Sequence, residues 1–415
     1  MKLLFFVGNL YKTLNATNKI AFELAEHLSE CGDEILLFGA NFDEEFSYPV
    51  NDRFSVVSIT PDDIYASARK TLEAYLKKQN KSRGEAVKLF SLRHPVTALR
   101  VNHSYSNKYT GMEDICRRYI DNNFEKNGFD YIVCFQEPAW AEKVMIESKI
   151  TDSKKIIYQT DPYGMHQLCS EEQRSVQEKQ ELENFERVKH IFTTTLLEKE
   201  YRKHEKYSAF SEKITGAEFP NIRPPHTAKK SPVQFAREDT NIVFCGMLDD
   251  SYRSPEGFFS AFSPLFESMP YVKFHFWGNI TSRSIYTFAE KYPDNIFIHQ
   301  PVDSETAAAI QNDADFLLNI GNSVSNQVPS KIFDYFSLGK PIINIQKIEN
   351  CPARDYFDRY PLVCNFEEYA PDITELSEFI RHAKGRTVSF DKVRQIYHTA
   401  TTEYVAGLLK NILSD

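Results

Sequence analysis

The feature that most constrains this chain is an alternation of short apolar runs with helical patterns, and it occurs twice. A continuous apolar run with no polar face is typical of a parallel strand covered by helices on both sides of its sheet. The first series predicts strands at Leu3–Val7, Glu34–Phe38, Phe54–Ile59, Tyr131–Phe135, Lys155–Tyr158 and Ile191–Thr194. The second predicts strands at Ile242–Cys245, Val272–Trp277, Ile296–His299, Phe316–Ile320, Pro341–Ile345 and Leu362–Asn365.

This order predicts an α/β protein with two Rossmann-like, doubly wound domains that face each other across a cleft. A chain of 415 residues is also longer than most proteins that fold around a single hydrophobic core. The first domain is predicted at 1–220, with a helical insertion at about 62–125 where no strand pattern occurs. A proline-containing stretch at 221–238 is predicted to be a linker. The second domain follows at 239–388. A single C-terminal helix is predicted within 389–415, at roughly Asp391–Leu413.

Charge and cysteine usage narrow the class of protein. The formal net charge is -9, which argues against a general nucleic-acid binder, because such proteins neutralise phosphates. The seven cysteines lie far apart and form no CxxC pair, so we expect neither a zinc site nor a disulfide framework. The N-terminal apolar run is too short for a signal peptide, and no stretch is long enough to span a membrane. A cytoplasmic protein is the expectation.

The most informative segment runs from Asn322 to Ile345. A strand ends near Ile320, a polar loop follows, and a helix is expected to begin near Pro329 and to end at Gly339. The N-terminus of such a helix offers free backbone N–H groups and a positive dipole end, which suit a phosphate. Ser330 can add a hydroxyl donor. Lys331 and Asp334 are three residues apart, so they present a cation for phosphate and a carboxylate for ribose side by side.

This segment resembles the nucleotide-sugar site of retaining GT-B glycosyltransferases of the family 4-like type. Members have a Pro-x-Lys-x-x-Glu-Tyr helix, then Gly-Lys-Pro and an apolar strand. The matching residues are Pro329, Lys331, Asp334, Tyr335, Gly339, Lys340 and Pro341. Members commonly have two Glu eight positions apart, where this chain has Asn326 and Asp334. The resemblance implies that Asp334 holds the ribose, whereas the uncharged Asn326 makes the contact with the donor sugar atypical.

The resemblance extends to the start of the second domain and to the end of the chain. Val243–Leu248 looks like the family's strand-Gly-Arg-Leu, with Gly246 in place and Met247 where the Arg usually stands. Arg253 lies close to the position of the family's loop cation. Gly278 matches the following strand-Gly element, and the loop at Gln300–Val302 is expected near the base. The resemblance also implies that the final helix crosses back to the first domain.

The first domain is expected to bind the acceptor. The family's first loop is often Gly-Gly, whereas Asn15 and Ala16 stand here. Glu137, Asp161 and His166 follow predicted strands, so we expect them to face the cleft and to contact the acceptor or handle a proton. A structural alternative remains open for each, because such residues also cap helices or occupy their first turns.

The stretch Arg69–Arg100 is basic in an acidic chain. It carries nine Lys or Arg and two Glu, interleaved with aromatic and aliphatic residues. A charged helical face is one interpretation. The other is peripheral contact with anionic lipid or with a phosphate-bearing acceptor, which predicts salt-sensitive vesicle binding that charge reversal at Lys77 and Lys78 reduces.

Together these features predict a glycosyltransferase that moves a sugar from a nucleotide diphosphate sugar to a saccharide or glycoconjugate, in cell-surface polysaccharide biosynthesis and with retention. Arg253, Lys331, Asp161 and His166 are the expected catalytic residues. No cofactor and no metal are expected, because cations of the chain would screen the diphosphate. One alternative is a non-catalytic GT-B module that binds a glycan or stabilises a partner glycosyltransferase. Another is a GT-B nucleotide-sugar 2-epimerase.

Overall fold

A computed structural model describes residues 1–10, 15–41, 53–59, 64–76, 78, 83–106, 110–136, 138–225 and 229–414. Contacts divide the chain into two compact units. The first comprises Met1–Gln159 and Leu182–Phe192, and the second comprises Thr160–Glu181 and Thr193–Asp415. All seven cysteines are free thiols. Among the helices that the structure describes, none is both long and apolar enough to cross a bilayer.

The first sheet has seven strands within the described residues, in the order β3-β2-β1-β4-β5-β6-β7. These are β1 (Lys2–Leu10), β2 (Glu34–Asn41), β3 (Ser55–Ile59), β4 (Tyr131–Phe135), β5 (Lys155–Gln159), β6 (His190–Thr193) and β7 (Ile214–Gly216). β1 is central: Phe5 pairs in parallel with Leu37 on one side and with Val133 on the other. The six predicted strands are confirmed to within a few residues. β7 was not predicted, since three residues carry too short a pattern.

The helices of this part of the chain follow the strands as the alternation predicts. They are α1 (Ala16–Glu30), α2 (Ile64–Leu76), α3 (Arg83–Arg93), α4 (Pro95–Ser106), α5 (Thr110–Asn123), α6 (Ala139–Glu147), α7 (Glu171–Glu186) and α8 (Thr195–Lys203). Asn15 caps α1, because its Oδ1 accepts the backbone N–H of Asn18 at 2.8 Å. Helices α2 to α5 lie between β3 and β4, which confirms the predicted helical insertion.

The second sheet has six described strands in the order β10-β9-β8-β11-β12-β13. These are β8 (Thr240–Cys245), β9 (Val272–Trp277), β10 (Ile296–Ile298), β11 (Phe316–Ile320), β12 (Ile342–Gln346) and β13 (Val363–Glu367). Every pairing that we resolve here is parallel. Two doubly wound parallel sheets are therefore confirmed. Phe274 of β9 lies at the centre of an aromatic core, with Phe258, Phe259 and Phe262 packed around it edge to face.

The helices of the second sheet are α9 (Glu256–Phe262), α10 (Arg283–Lys291), α11 (Ser304–Asp313), α12 (Lys331–Leu338), α13 (Arg354–Phe357), α14 (Ile373–Ala383), α15 (Phe390–Ile396) and α16 (Thr402–Ser414). The single helix expected near the end of the chain is wrong in detail. It is interrupted between Ile396 and Thr402 by a 3₁₀ turn at His398–Ala400. Ile222 pairs with Thr401 there, and its N–H donates to the carbonyl of Ala400.

The sequence-based domain limits differ from these units. Residues 160–181 and 193–220 group by contact with the second unit, although the sequence assigned them to the first domain. Ile222, at the start of the expected linker, is buried, as is Phe219 just before it, and both belong to the second unit. The crossing of the final helix to the first domain stays a prediction.

Candidate functional site

The strand order of the second sheet reverses between β8 and β11. β8 is followed by β9 on one side, whereas β11 is followed by β12 on the other. Outside the carboxyl ends of two such strands the chain leaves a crevice, and this is where ligands bind in open α/β sheets. The residues after β8 begin with Gly246, and those after β11 begin with Gly321 and Asn322. The candidate site is therefore built from these two loops and from α12.

Two glycines bring the ends of β8 and β9 together. Gly278 has a φ of 125°, and a Cβ on it would lie 2.1 Å from the carbonyl oxygen of Gly246. Gly246 donates its N–H to the carbonyl of Trp277 at 2.8 Å. A Cβ on Gly246 would lie 3.1 Å from Nζ of Lys331. Both residues were predicted as ligand contacts. Here they let backbone approach backbone and leave room for the lysine.

The loop after β8 is shaped by two aspartates. Asp249 Oδ1 accepts the backbone N–H groups of Ser251 and Tyr252, both at 3.0 Å, so it forms a local turn. Asp250 accepts the N–H of Arg283 at 2.7 Å and the hydroxyl of Ser284 at 2.8 Å. Since Arg283 is the first residue of α10, Asp250 anchors the loop to that helix N-terminus.

Arg253 follows these anchors and reaches the loop after β11. Its Nε donates to Oδ1 of Asn322 at 2.6 Å, and its guanidinium carbon lies 5.3 Å from the centre of the Tyr252 ring. Burial lowers the pKa of Arg253. Its ordinary pKa is so high that the group stays a cation. The loop therefore holds a positive charge at the switch point.

Helix α12 brings a second cation to the same loop. Nζ of Lys331 donates to the carbonyl of Cys245 at 2.7 Å, at the last residue of β8. Ser330 is the N-cap residue, but its side chain makes no cap hydrogen bond. Asp334 is half-buried in the first turn. Gly339 ends the helix with a φ of 66°, as the sequence predicts. Lys331 has three donor hydrogens, so it can bind a ligand while retaining its bond to Cys245.

Side-chain hydrogen bonds join the loop after β11 to the segment after β5. Gln327 donates from Nε2 to Oδ1 of Asp161, and its Oε1 accepts the hydroxyl of Tyr252. Burial raises the pKa of Asp161, opposed by the hydrogen bond from Gln327 and by the charge of His166. Burial also raises the pKa of Tyr252 to about 12, so its hydroxyl keeps its proton and remains a donor. Asp161, Gln327 and Tyr252 thus form one connected unit.

The loop after β11 and the segment after β5 make further contacts at the residues next to Gln327. Asn326 donates from Nδ2 to the carbonyl of Met165 at 2.7 Å. Gln167 accepts the N–H of Ser325 and donates to its hydroxyl, both at 2.9 Å. Asn326 is 5% exposed, and its Oδ1 has no hydrogen-bond partner among the described residues. A buried acceptor of this kind is costly unless a ligand or water donates to it.

Known structures share this architecture over almost the whole chain. Sucrose-phosphate synthase from Thermosynechococcus elongatus is 12% identical, with 99% of this chain and 98% of that chain covered and a TM-score of 0.60. A mutant of S. aureus TarM, in complex with Fondaparinux, alpha-GlcNAc-glycerol and UDP, is 12% identical over 100% of both chains, with a TM-score of 0.60. This chain has the GT-B fold.

The same fold also carries a different chemistry. UDP-GlcNAc 2-epimerase from Methanocaldococcus jannaschii is 10% identical, with 100% and 99% of the two chains covered and a TM-score of 0.52. No protein-family profile matches the chain, and no curated protein matches it in sequence. The structural neighbours include several glycosyltransferases, and at these identities the likeness concerns the GT-B fold itself.

Most of the residues predicted to bind the donor lie together around the loops after β8 and β11. Three of the predicted site residues that the structure describes do not join this group. Asn15 is the cap of α1 in the first unit, and Glu137 lies outside the described residues. Val302 is exposed and directly precedes Asp303, the N-cap of α11. His166 accepts the N–H of Leu168 at 3.2 Å through Nδ1, so it takes part in a local turn. Among described residues, no cluster of three His, Cys, Asp or Glu side chains suits a metal ion.

A hollow elsewhere in the second unit is lined by residues that do not belong to this site. A groove of about 910 Å³ runs beside the expected linker. Its lining is formed by Lys229, Lys230, Ser231, Val233, Gln234, Phe235, Arg237, Ala309, Asn312 and Asp313. None of the residues predicted for the site contributes to it.

Three residues of the site were not predicted from the sequence: Tyr252, Asn322 and Gln327. Tyr252 and Gln327 each adjoin a predicted residue, and Asn322 begins the segment that was singled out. Their roles depend on hydrogen bonds that link positions 69, 75 and 166 residues apart. In the sequence, adjacency to Arg253 and Asn326 pointed to Tyr252 and Gln327, and membership of that segment pointed to Asn322.

Proposed function

We propose that the protein is a glycosyltransferase that moves a sugar from a nucleotide diphosphate sugar to a saccharide or glycoconjugate acceptor. The observation that carries the proposal is the pair of cations at the switch point. Arg253 is tied to Asn322, and Lys331 is tied to the end of β8. Both therefore reach the crevice where a GT-B ligand would bind. The N-terminal end of α12, which is the positive end of its helix dipole, adds to the attraction for phosphate.

The chemistry of transfer explains why two cations are useful there. The bond between the anomeric carbon and the phosphate oxygen breaks, and its electron pair stays on the leaving diphosphate. Preorganised positive groups that stabilise this developing charge usually make the largest single contribution to catalysis. Arg253 can bind two oxygens through its planar group, whereas Lys331 acts as a point charge. In this proposal the two residues are catalytic, and no metal is required.

The sugar would lie next to the buried amide of Asn326. Its Oδ1 can accept a hydrogen bond from a sugar hydroxyl, and its Nδ2 is already used by Met165. A neutral acceptor selects a hydroxyl by hydrogen bonding without adding charge. Asp334, in the first turn of α12, is proposed to accept from the ribose hydroxyls.

The acceptor hydroxyl would attack the anomeric carbon, and its proton would pass to the leaving phosphate. No protein nucleophile is then needed, which fits transfer with retention. Asp161 and His166 belong by contact to the second unit, alongside Gln327. We propose that they line the acceptor end, with a saccharide or lipid-linked saccharide of cell-surface polysaccharide synthesis as the acceptor.

A thermal-shift titration with UDP, ADP, GDP and TDP tests the donor site first. A ligand that binds only the folded state raises its stability by RT ln(1 + [L]/Kd). One nucleotide should raise Tm, and both Arg253→Ala and Lys331→Ala should reduce the shift. Lys392→Ala is the matched control, because it removes an exposed cation elsewhere in the same unit. The preferred nucleotide then selects the donor sugars for turnover assays, run with and without a chelator.

The outcomes separate the proposal from its alternatives. Release of nucleotide diphosphate from one donor sugar, lost in Lys331→Ala, supports transfer. Interconversion of the sugar at C2 without acceptor would mark an epimerase. If no nucleotide changes Tm and Lys331→Ala behaves like the parent protein, the glycosyltransferase proposal is wrong and a non-catalytic GT-B module takes its place.

A further inference from the structure

Helices α2, α3 and α4 of the insertion form a small core of their own. Ala68, Leu72, Phe90, Ala98 and Val101 are its buried members. Within it the rings of Tyr75 and Phe90 lie 5.3 Å apart, and those of Phe90 and His94 lie 5.0 Å apart. One face of α3 and α4 is therefore used for packing, which leaves the opposite face to solvent.

That opposite face carries large apolar side chains. Leu92 is 79% exposed, Val96 is 63% exposed and Leu99 is 69% exposed. The three lie within eight consecutive positions around the turn between α3 and α4, which consists of His94 alone because α4 begins at Pro95. Val96 and Leu99 are three residues apart in α4, so they share a face. Exposure at this level means that the side chains project outward rather than line a groove.

The segment that contains these side chains carries charge of one sign. Lys88 and Arg93 are exposed on α3. No Asp or Glu occurs between Glu85 and Glu113, although the chain contains 58 acidic residues. A projecting apolar tip within a cationic surface complements an anionic bilayer, where apolar groups enter the acyl boundary and cations bind lipid phosphates.

We propose that the turn between α3 and α4 docks the protein on an anionic membrane surface. Leu92, Val96 and Leu99 enter the headgroup region, and Lys88 and Arg93 contact lipid phosphates. An acidic protein would satisfy the cations but would not explain three projecting apolar side chains. This surface belongs to the first unit, whereas the nucleotide site belongs to the second. The proposal therefore stands or falls independently of the proposed sugar transfer.

Vesicle co-sedimentation of the full chain tests it. The probes are vesicles of phosphatidylcholine alone and vesicles in which about a third of the lipid is phosphatidylglycerol. The protein should bind the anionic vesicles, and added salt should weaken that binding. Replacing Leu92→Ser, Val96→Ser and Leu99→Ser together should reduce the affinity by at least about tenfold, because burial of three apolar side chains is lost. Charge reversal by Lys88→Glu with Arg93→Glu should have an effect of similar size.

Matched controls come from the second unit. Val176 and Leu168 are 67% and 56% exposed, so Val176→Ser with Leu168→Ser removes apolar surface of the same kind without affecting the proposed tip. Circular dichroism and Tm should show that every variant folds. Of the two positions named from the sequence for charge reversal, Lys77 lies outside the described residues, and Lys78 is exposed.

Two outcomes would overturn the proposal. One is that the parent protein ignores anionic vesicles. The other is that charge reversal abolishes binding while the triple serine variant binds normally, which indicates a site for a soluble polyanion or an acidic protein. Nucleotide-dependent shifts in Tm should be unchanged in all these variants, which keeps this test separate from that of the donor site.

Discussion

Arg253 donates a hydrogen bond from Nε to Oδ1 of Asn322 across 2.6 Å, which joins the loop after β8 to the loop after β11. The bond uses one of the five donors of the guanidinium and fixes the plane of the group. The backbone reinforces it, since the N–H of Ser323 donates to the carbonyl of Tyr252 at 3.1 Å. The orientation of the cation therefore depends on a neutral residue that needs no contact with the ligand.

Replacing Asn322 with Ala should weaken nucleotide diphosphate binding although no charge is removed. Arg253 would lose the bond that fixes its plane and would have to be ordered by the ligand. A hydrogen bond to a charged group is worth about 1.5–3 kcal/mol, so the Kd should rise at least about tenfold. Isothermal titration calorimetry measures this Kd. Ser323→Ala, a change at the exposed neighbour, is the control. Equal affinities for the two variants would contradict the role of Asn322 in positioning Arg253.

Tyr252 and Asp161 should be energetically coupled through Gln327, although they share no direct bond. Tyr252→Phe removes the donor to Gln327, and Asp161→Ala removes the acceptor on its other side. Members of one hydrogen-bonded network show interaction energies of about 0.5–3 kcal/mol in a double-mutant cycle. Denaturant unfolding of the parent, the two single variants and the double variant gives this energy. The changes in unfolding free energy from Tyr252→Phe and Lys392→Ala should be additive. Additivity in both cycles would contradict the coupling through Gln327.

The strands were predictable because their signal is local. The limits of β4, β9 and β11 agree with the sequence prediction at both ends. β4 and β11 are short, mainly apolar runs, and β9 alternates apolar with polar residues, and both patterns mark strands. The start and end of α12 were predictable for the same reason, from Pro329 and Gly339. The network of Tyr252, Gln327 and Asp161 was not, because it joins residues up to 166 positions apart through the conformations of three loops.

The end of the chain shows how tertiary contacts override a helical pattern. The sequence predicts one helix at Asp391–Leu413, yet the helix is broken after Ile396. Tyr397 is buried there, with its ring stacked on that of Phe336 of α12 at 4.4 Å. Its hydroxyl donates to the carbonyl of Tyr356 at 2.7 Å. These partners lie 41 and 61 positions away in sequence, so no local pattern could reveal the break.

Gly278→Ala should destabilise the second unit and disturb the nucleotide site. Its φ of 125° is unfavourable for any residue with a Cβ, and that atom would lie 2.1 Å from the carbonyl oxygen of Gly246. We expect a loss of at least about 2 kcal/mol of unfolding free energy, measured with denaturant. Gly407→Ala is the control, because this residue lies in α16 with open space around it. That change should stabilise by about 0.5–1 kcal/mol, and a similar sign for both variants would refute the steric argument.

His275 should make the stability of the protein sensitive to mild acid. Its Nδ1 lies 3.1 Å from Nε2 of His299, and its Nε2 lies 3.1 Å from Oδ1 of Asn241. Burial, aided by the charges of His299 and Lys273, lowers the pKa of His275 to about 3, and burial also lowers that of His299. Both rings pack against Trp277, whose ring lies 4.0 Å from that of His299. The fold thus favours the neutral imidazoles.

The sign of the effect follows from proton binding. Between the ordinary histidine pKa of about 6.5 and the lowered value, the unfolded chain binds a proton that the folded chain does not. Above pH about 6.5 the neutral ring of His275 makes its full contribution to the free energy of unfolding. As the pH drops through this window, that contribution falls by at most about 1.4 kcal/mol per pH unit. Unfolding free energies at several pH values should decline less steeply in His275→Gln. Burial lowers the pKa of His190 to about 4, so His190 contributes the same slope in the parent protein and in His275→Gln. An unchanged slope in His275→Gln would exclude the buried pair as its source.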